Sequence, residues 1–232
     1  FGRFVENLNG KYITAEDVGT NTRDMEYIKM STDHVTGLPM SMGGSGDPSP
    51  VTAYGTYLGM KASLKKLTGN DSLAGKKVVV QGTGNVGYYL CELLQKDGAV
   101  IYGYDIYDDK LRAVVDKFGV KAISADDVYS MDVDIFSPDA LGAILNENTI
   151  PQLRCSIVAG GANNQLKNET TDGEALKERG ILWAPDFLIN AGGLINVYTE
   201  LEGYDRNRAM ARAEGIYATT LRCYDYADQH DI

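Results

Sequence analysis

Val78-Val79-Val80-Gln81-Gly82-Thr83-Gly84-Asn85-Val86-Gly87, with Asp105 closing the next apolar run, is the stretch that decides the fold of this chain. The β-branched run predicts a strand, and the spacing of Val86, Leu90, Leu93 and Leu94 predicts an amphipathic helix. Between them lies a G-x-G-x-x-G turn. Gly82 permits the tight turn, Gly84 lets backbone approach a pyrophosphate, and Gly87 lets the helix pack closely on the strand. N–H groups at the helix start, aided by the helix dipole, then hold phosphates. Thr83, Asn85 and Val86 complete that turn and belong to the same candidate site. Such a glycine pattern alone is weak evidence. Set between strand and helix and followed by an acid, it has the context a dinucleotide site requires.

Asp105 selects the dinucleotide. Ala99-Val100-Ile101-Tyr102-Gly103-Tyr104-Asp105 reads as the second strand, ending in a carboxylate that accepts hydrogen bonds from the ribose hydroxyls of NAD. The same charge repels the 2′-phosphate of NADP, and no arginine follows before Arg112. NAD is the expected cofactor, and Ile106 is placed beside Asp105 in its site.

Outward from this core, strands are predicted over 76–81, 99–105, 120–123, 133–137, 155–160 and 181–184, with helical patterns between most of them. Alternation of this kind predicts an α/β, Rossmann-type doubly wound parallel sheet. Upstream, Pro50 starts a helix to about Leu67, in which Ala53, Gly55 and Gly59 allow close packing. Residues 41–50 are rich in Gly, Ser, Pro and Asp and read as a loop, Thr22 to Ser31 as a helix, and Lys11-Tyr12-Ile13-Thr14 as a short strand. Phe1, Phe4, Val5 and Leu8 look like the end of a helix stopped by Asn9-Gly10. Beyond Pro185 two helices, from Ala191-Gly192-Gly193 to Leu201 and from Asn207 to Asp228, have no strand partners. They are expected to pack back on the first fifty residues, making two lobes with a cleft between them. The start at Phe1, inside a helical pattern, suggests a piece of a longer polypeptide.

Composition narrows the function classes. The formal net charge of −10 argues against a nucleic-acid partner or an anionic membrane surface, both of which would repel it. No apolar run approaches the length of a membrane span and no signal peptide is evident, so a cytoplasmic protein is expected. Cys91, Cys155 and Cys223 lack metal-site spacing, and His34 and His230 are too scattered to build one; no metal is expected.

The chain resembles the glutamate/leucine/phenylalanine/valine dehydrogenases over essentially its whole length, with the leucine-type members nearest. The likeness is carried by Gly2-Arg3-Phe4, by Tyr12-Ile13-Thr14-Ala15-Glu16-Asp17-Val18-Gly19-Thr20 and by Gly46-Asp47-Pro48-Ser49-Pro50-Val51-Thr52-Ala53-Tyr54-Gly55. Gly82 to Gly87, Asp134-Ile135-Phe136-Ser137-Pro138, Ala159-Gly160-Gly161-Ala162-Asn163-Asn164-Gln165-Leu166 and Asn190-Ala191-Gly192-Gly193-Leu194-Ile195-Asn196-Val197 complete it. The resemblance implies reversible NAD-dependent deamination of a branched-chain L-amino acid to its 2-keto acid and ammonium.

It also implies roles. Asp17 serves as acid/base at the substrate nitrogen, and Thr52 contacts the nicotinamide carboxamide. Ala140 and Leu141 line the cofactor, Asn163 bonds the nicotinamide ribose, and Leu194 and Val197 line the side-chain pocket. Domain boundaries follow: 1–50 as remnant of a substrate and oligomerisation domain, 51–190 as the NAD-binding domain, and 191–232 as helices returning to the first. A homo-oligomer is implied at full length.

Two departures stand out. The family's clamp and base lysines lie in a glycine-rich segment, and this chain contains no G-G-G-K, so the 232 residues alone are expected to be weakly active or inactive. Asp139 stands where members usually carry a small uncharged residue. A phenylalanine or tryptophan enzyme of the same family is the nearest alternative. A glutamate enzyme is disfavoured because no positive charge is evident beside Leu194, and a non-catalytic NAD-binding module accounts for the missing lysines.

Overall fold

The computed structural model describes residues 1–17 and 19–231. Among these, six strands form one parallel sheet: β1 (Lys77–Gln81), β2 (Val100–Tyr104), β3 (Lys121–Ala122), β4 (Ile135–Pro138), β5 (Ile157–Val158) and β6 (Leu182–Trp183), in the order β3-β2-β1-β4-β5-β6. Val78, Val79 and Val80 sit at its centre because β1 pairs on both sides, Val79 with Tyr102 and with Phe136. The pleat sends Val78 and Val80 into one core with Leu90, Leu94, Ile101, Ile135 and Ile157. Val79 enters the core on the other face, with Phe136, Leu145, Leu153, Val158 and Leu176. A sheet buried on both faces accounts for the continuous apolar run in β1.

The helices are α1 (Gly2–Glu6), α2 (Thr22–Lys29), α3 (Ser49–Thr68), α4 (Asn85–Lys96), α5 (Asp108–Phe118), α6 (Glu169–Glu178), α7 (Asp186–Ile189), α8 (Gly192–Leu201) and α9 (Arg206–His230). Asn21 caps α2 in a reciprocal capping box with Asp24, and Gly69 in the left-handed region ends α3. Met25, Val35 and Leu38 form a small separate core beneath the first fifty residues.

Several expectations need correction. The strands expected over 120–123, 155–160 and 181–184 are two residues long, and at the sheet edge both residues of β3 are exposed. No helix joins β3 to β4; turns fill that link, and a short 3-10 segment, Ile150–Gln152, lies between β4 and β5. The strand expected at 11–14 reduces to one parallel bridge, Thr14 with Val35, because Lys11, Tyr12 and Ile13 are exposed and meet no sheet. Among the described residues, α8 is tied to the first fifty residues through its polar groups. The Glu200 carboxylate accepts from the N–H groups of Gly37 (2.9 Å), Leu38 (3.4 Å) and Ser45 (2.7 Å). By contrast α9 lies along α3, with Ile216 against Gly55, Ser63 Oγ 2.7 Å from Tyr224 Oη, and Lys66 paired to Asp225 and Asp228. The small residues of α3 make that approach possible.

Candidate functional site

The glycine turn is built as its chemistry demands. Gly82 has φ of 99°, and a Cβ there would lie 2.8 Å from Ala140 Cβ and 2.9 Å from the Ala140 nitrogen. Only glycine combines that dihedral with that clearance. A Cβ on Gly87 would overlap the Gly82 carbonyl oxygen, so α4 rests directly on the turn. At Gly84, by contrast, a Cβ would meet only Lys110 Nζ, at 3.8 Å. Gly84 is the N-cap of α4 and no side chain caps that helix, so its first N–H groups are left for an acceptor. This open cradle, flanked by a cation, fits a pyrophosphate.

Asp105 is fixed at the end of β2. Its Oδ2 accepts from the Thr83 N–H (2.7 Å) and hydroxyl (3.3 Å), and its Oδ1 from the Tyr107 N–H (2.9 Å). Those bonds orient the carboxylate toward the turn, where a ribose diol would meet it. Lys110, in the first turn of α5, is a residue that motif reading passes over. Its Nζ lies 4.7 Å from the centre of the Tyr107 ring, and its sequence neighbours Asp108 and Asp109 conceal that it reaches Gly84.

The opposite side of the crevice is assembled from distant segments. Asp139 follows β4, and its N–H donates to Gln81 O at the end of β1 (2.7 Å). The 140–143 loop lies on the 163–164 loop, with the Ala143 N–H bonded to Asn164 O (2.7 Å). Ala143 and Asn164 both have positive φ, 57° and 52°. Asn190 Nδ2 donates to Asn163 Oδ1 and to Gly161 O (3.3 Å), leaving the donor end of the Asn163 amide for a ligand. Thr52, one turn into α3, donates to Pro48 O (3.1 Å), and a Cβ on Gly193 would lie 2.6 Å from its Oγ1. The Ala191-Gly192-Gly193 sequence is therefore what lets α8 start against α3. Ile106, Leu141 and Leu194 are 74, 73 and 71% exposed.

Asp17 is exposed in a tight turn, its N–H accepted by Thr20 Oγ1 (2.9 Å), which donates back to Asp17 O (2.8 Å). Val18, quoted in the same motif, lies outside the described residues. Beside Asp17, Glu16 is half-buried, and its Oε2 has no hydrogen-bond partner among the described residues. Burial, then Asp47 and Asp24, hold the Glu16 carboxyl above the usual carboxylate range. Asp47 also accepts from the Ser49 N–H (2.9 Å) at the start of α3, so the Asp17 turn and the Thr52 helix share one electrostatic neighbourhood.

Leu194 lines an open depression of about 310 Å³ with Ile195, Tyr198 and Arg212. Val197 does not line it; it is half-buried on α8. Arg212 supplies a positive charge that spacing along the chain did not reveal, though Glu202 pairs with it at 2.7 Å. A larger depression, about 380 Å³, lies between Ile150 and α6 and holds none of the candidate residues.

The family model described as "Glutamate/Leucine/Phenylalanine/Valine dehydrogenase" matches residues 43–117 and 107–218. Leucine dehydrogenase of Bacillus subtilis (strain 168) is 51% identical over 232 residues, covering 100% of this chain and 64% of that protein. Phenylalanine dehydrogenase of Lysinibacillus sphaericus is 42% identical, covering 98% of this chain and 61% of that protein. The crystal structure of L-tryptophan dehydrogenase from Nostoc punctiforme superposes with a TM-score of 0.86 at 42% identity, covering 100% of this chain and 66% of that one. The chain thus spans about 64% of the length of the leucine enzymes it matches.

Proposed function

Since the chain belongs to the glutamate/leucine/phenylalanine/valine dehydrogenase family, we propose that its protein carries out NAD-dependent, reversible oxidative deamination of a branched-chain L-amino acid. The observation that carries the cofactor is the uncapped α4 N-terminus over Gly84 with the Asp105 carboxylate fixed beside it. NAD, when bound, supplies the hydride acceptor.

The chain's own residues do the rest. Asp105 accepts from the adenosine ribose, and Thr52 orients the nicotinamide carboxamide. Asn163 donates to the nicotinamide ribose, while Gly82 to Gly87, with Thr83, Asn85 and Val86, hold the phosphates. Ile106, Ala140 and Leu141 cover the cofactor's apolar faces. Asp17 moves a proton at the substrate nitrogen, and Leu194 receives the side chain, with Val197 behind it. Positioning of this sort and a matched acid/base are what such chemistry asks of a protein.

An apolar depression around Leu194 suits leucine, isoleucine or valine, and one methylene separates them by only about 1–3 kcal/mol. A phenylalanine or tryptophan preference is the second reading, favoured by the aromatic ring of Tyr198 in the lining of that depression. The 232 residues alone, lacking a glycine-rich lysine segment, should turn over weakly or not at all. The full-length protein is proposed as a homo-oligomer. Three free thiols, with those of Cys91 and Cys155 pushed up by burial, suit a reducing, cytoplasmic setting.

The test is NADH formation at 340 nm by the full-length gene product. The panel is L-leucine, L-valine, L-phenylalanine, L-tryptophan and L-glutamate, each with NAD⁺ and with NADP⁺. Turnover of leucine or valine with NAD⁺ is expected. Silence on all five, with NADH still bound, would leave a nucleotide-binding module.

A further inference from the structure

Asp139 places a charge where the crevice divides. In an open α/β sheet, ligands lie outside the carboxyl ends of the strands where the strand order reverses. Here that point is between β1 and β4, and the Asp139 N–H closes it by donating to Gln81 O. Asp105 marks the β2 side as the adenosine half, so the nicotinamide half extends over β4 and β5. The Asp139 carboxylate stands on that side. Its Oδ1 accepts from the Gly161 N–H beyond β5 (2.8 Å), and its Oδ2 accepts from Ser137 Oγ (2.6 Å). A Cβ on Gly161 would lie 3.0 Å from Asp139 Oδ1, 3.3 Å from Thr56 Oγ1 and 2.9 Å from Val86 Cγ1. The carboxylate thus borders the space at Gly161 that Val86 of α4 and Thr56 of α3, one helical turn from Thr52, also border.

No Lys, Arg or His among the described residues is paired with it. The titratable group facing it is the Cys91 thiol of α4, which burial keeps neutral, while α3 and the segment after β5 offer Thr56 and Gly161, which carry no charge. A half-buried carboxylate held by two neutral donors lacks a counter-charge. The oxidised nicotinamide ring is a cation and the reduced ring is neutral.

We propose that Asp139 sets the redox-state preference of the cofactor site, its carboxylate favouring the oxidised, cationic nicotinamide over the reduced one. This rests on the reading of the crevice as an NAD site. Burial, moderated by the bonds from Ser137 and Gly161, pushes the Asp139 carboxyl up to about 6. The discriminating charge is therefore present above that pH and lost below it. An opposite unit charge at such a half-buried position is worth about a factor of ten or more in affinity.

The experiment is NADH fluorescence titration, with NAD⁺ as competitor, on the 232-residue chain from pH 5 to pH 8. The ratio of the NADH to the NAD⁺ dissociation constant should rise about tenfold across that range and stay flat in Asp139→Asn. Ser137→Ala keeps the carboxylate and removes a donor to it, so it should move the midpoint to higher pH. It serves should the first variant fail to fold. A wild-type ratio that does not change with pH, or a rise that persists in Asp139→Asn, would overturn the inference while leaving the cofactor reading intact. Absence of NADH binding at every pH would overturn that reading and the inference with it.

Discussion

The end of the crevice proposed for the adenosine is made by one continuous strand–turn–helix–strand unit, from β1 to Asp105. The residues proposed for the other end, Asp17, Thr52, Asn163 and Leu194, come from four separate segments. In the first region the interacting residues belong to one unbroken supersecondary unit: a Cβ on Gly87 would strike Gly82, and Asp105 at the end of β2 accepts from Thr83 in the turn after the neighbouring β1. In the second, the segments are brought together by contacts between separate elements, as Asn163 with Asn190 or Thr52 with Gly193. Local constraint makes the first end rigid and common to many dinucleotide proteins. Long-range assembly makes the second the place where specificity is adjusted.

The largest effect should come from breaking the local unit. Gly87→Ala forces α4 off the turn, and we expect at least 100-fold weaker NADH binding with a loss of stability above about 3 kcal/mol, read by titration and thermal melting. Next, Asp105→Asn removes the charge but keeps the hydrogen-bonding shape. The preference for NADH over NADPH should fall about tenfold, with melting temperature little changed, because the 2′-phosphate no longer meets a carboxylate. If the preference holds, selectivity lies in Lys110 or elsewhere.

At the assembled end, Glu200→Gln weakens three backbone N–H bonds that tie α8 to residues 37–45. It should cost about 1–3 kcal/mol in stability, since bonds to charged groups are the stronger kind. NADH affinity should hardly change if the two ends are independent.

Asp139 gives a pH signature of stability as well. Its carboxyl titrates near 3.8 when unfolded and near 6 when folded, so the folded state holds the proton more tightly between these values. Its contribution is fully present below 3.8 and is lost as pH rises through 6. Asp139→Asn should therefore match the wild type near pH 4 and melt higher at pH 7, by on the order of 1–2 kcal/mol. Equal melting at both pH values would show that the burial of this carboxylate costs the fold little. The smallest effect is expected at Leu194→Ala, a few-fold shift of the full-length enzyme among amino acids, read as kcat/KM ratios.

These contrasts explain what the sequence made legible. The parallel sheet, its glycine turn and the place of Asp105 after β2 are readable because β-branched runs, glycine spacing and helical periodicity are local signals. β5 is shorter than the sequence suggests because a buried apolar run looks the same in a strand and in the extended loop beside it, whereas β3 is cut short at the sheet edge, where both its residues are exposed. Lys110, Glu16 and Arg212 escaped notice because a charged residue on a helix or in a turn gives no sign of what it approaches. The packing of α9 on α3 rather than on the first fifty residues is hidden for a related reason. Its helical pattern does not name its partner, which α3 supplies where Gly55 makes room for Ile216.

Calorimetric titration of NADH and of NADPH into the 232-residue chain tests the central claim most directly, because it needs neither substrate nor the family's lysines. The Gly82–Asp105 unit predicts saturable one-to-one binding of NADH and at least tenfold weaker binding of NADPH. NADPH bound as tightly as NADH, or no binding of either, would contradict the assignment of this crevice to NAD.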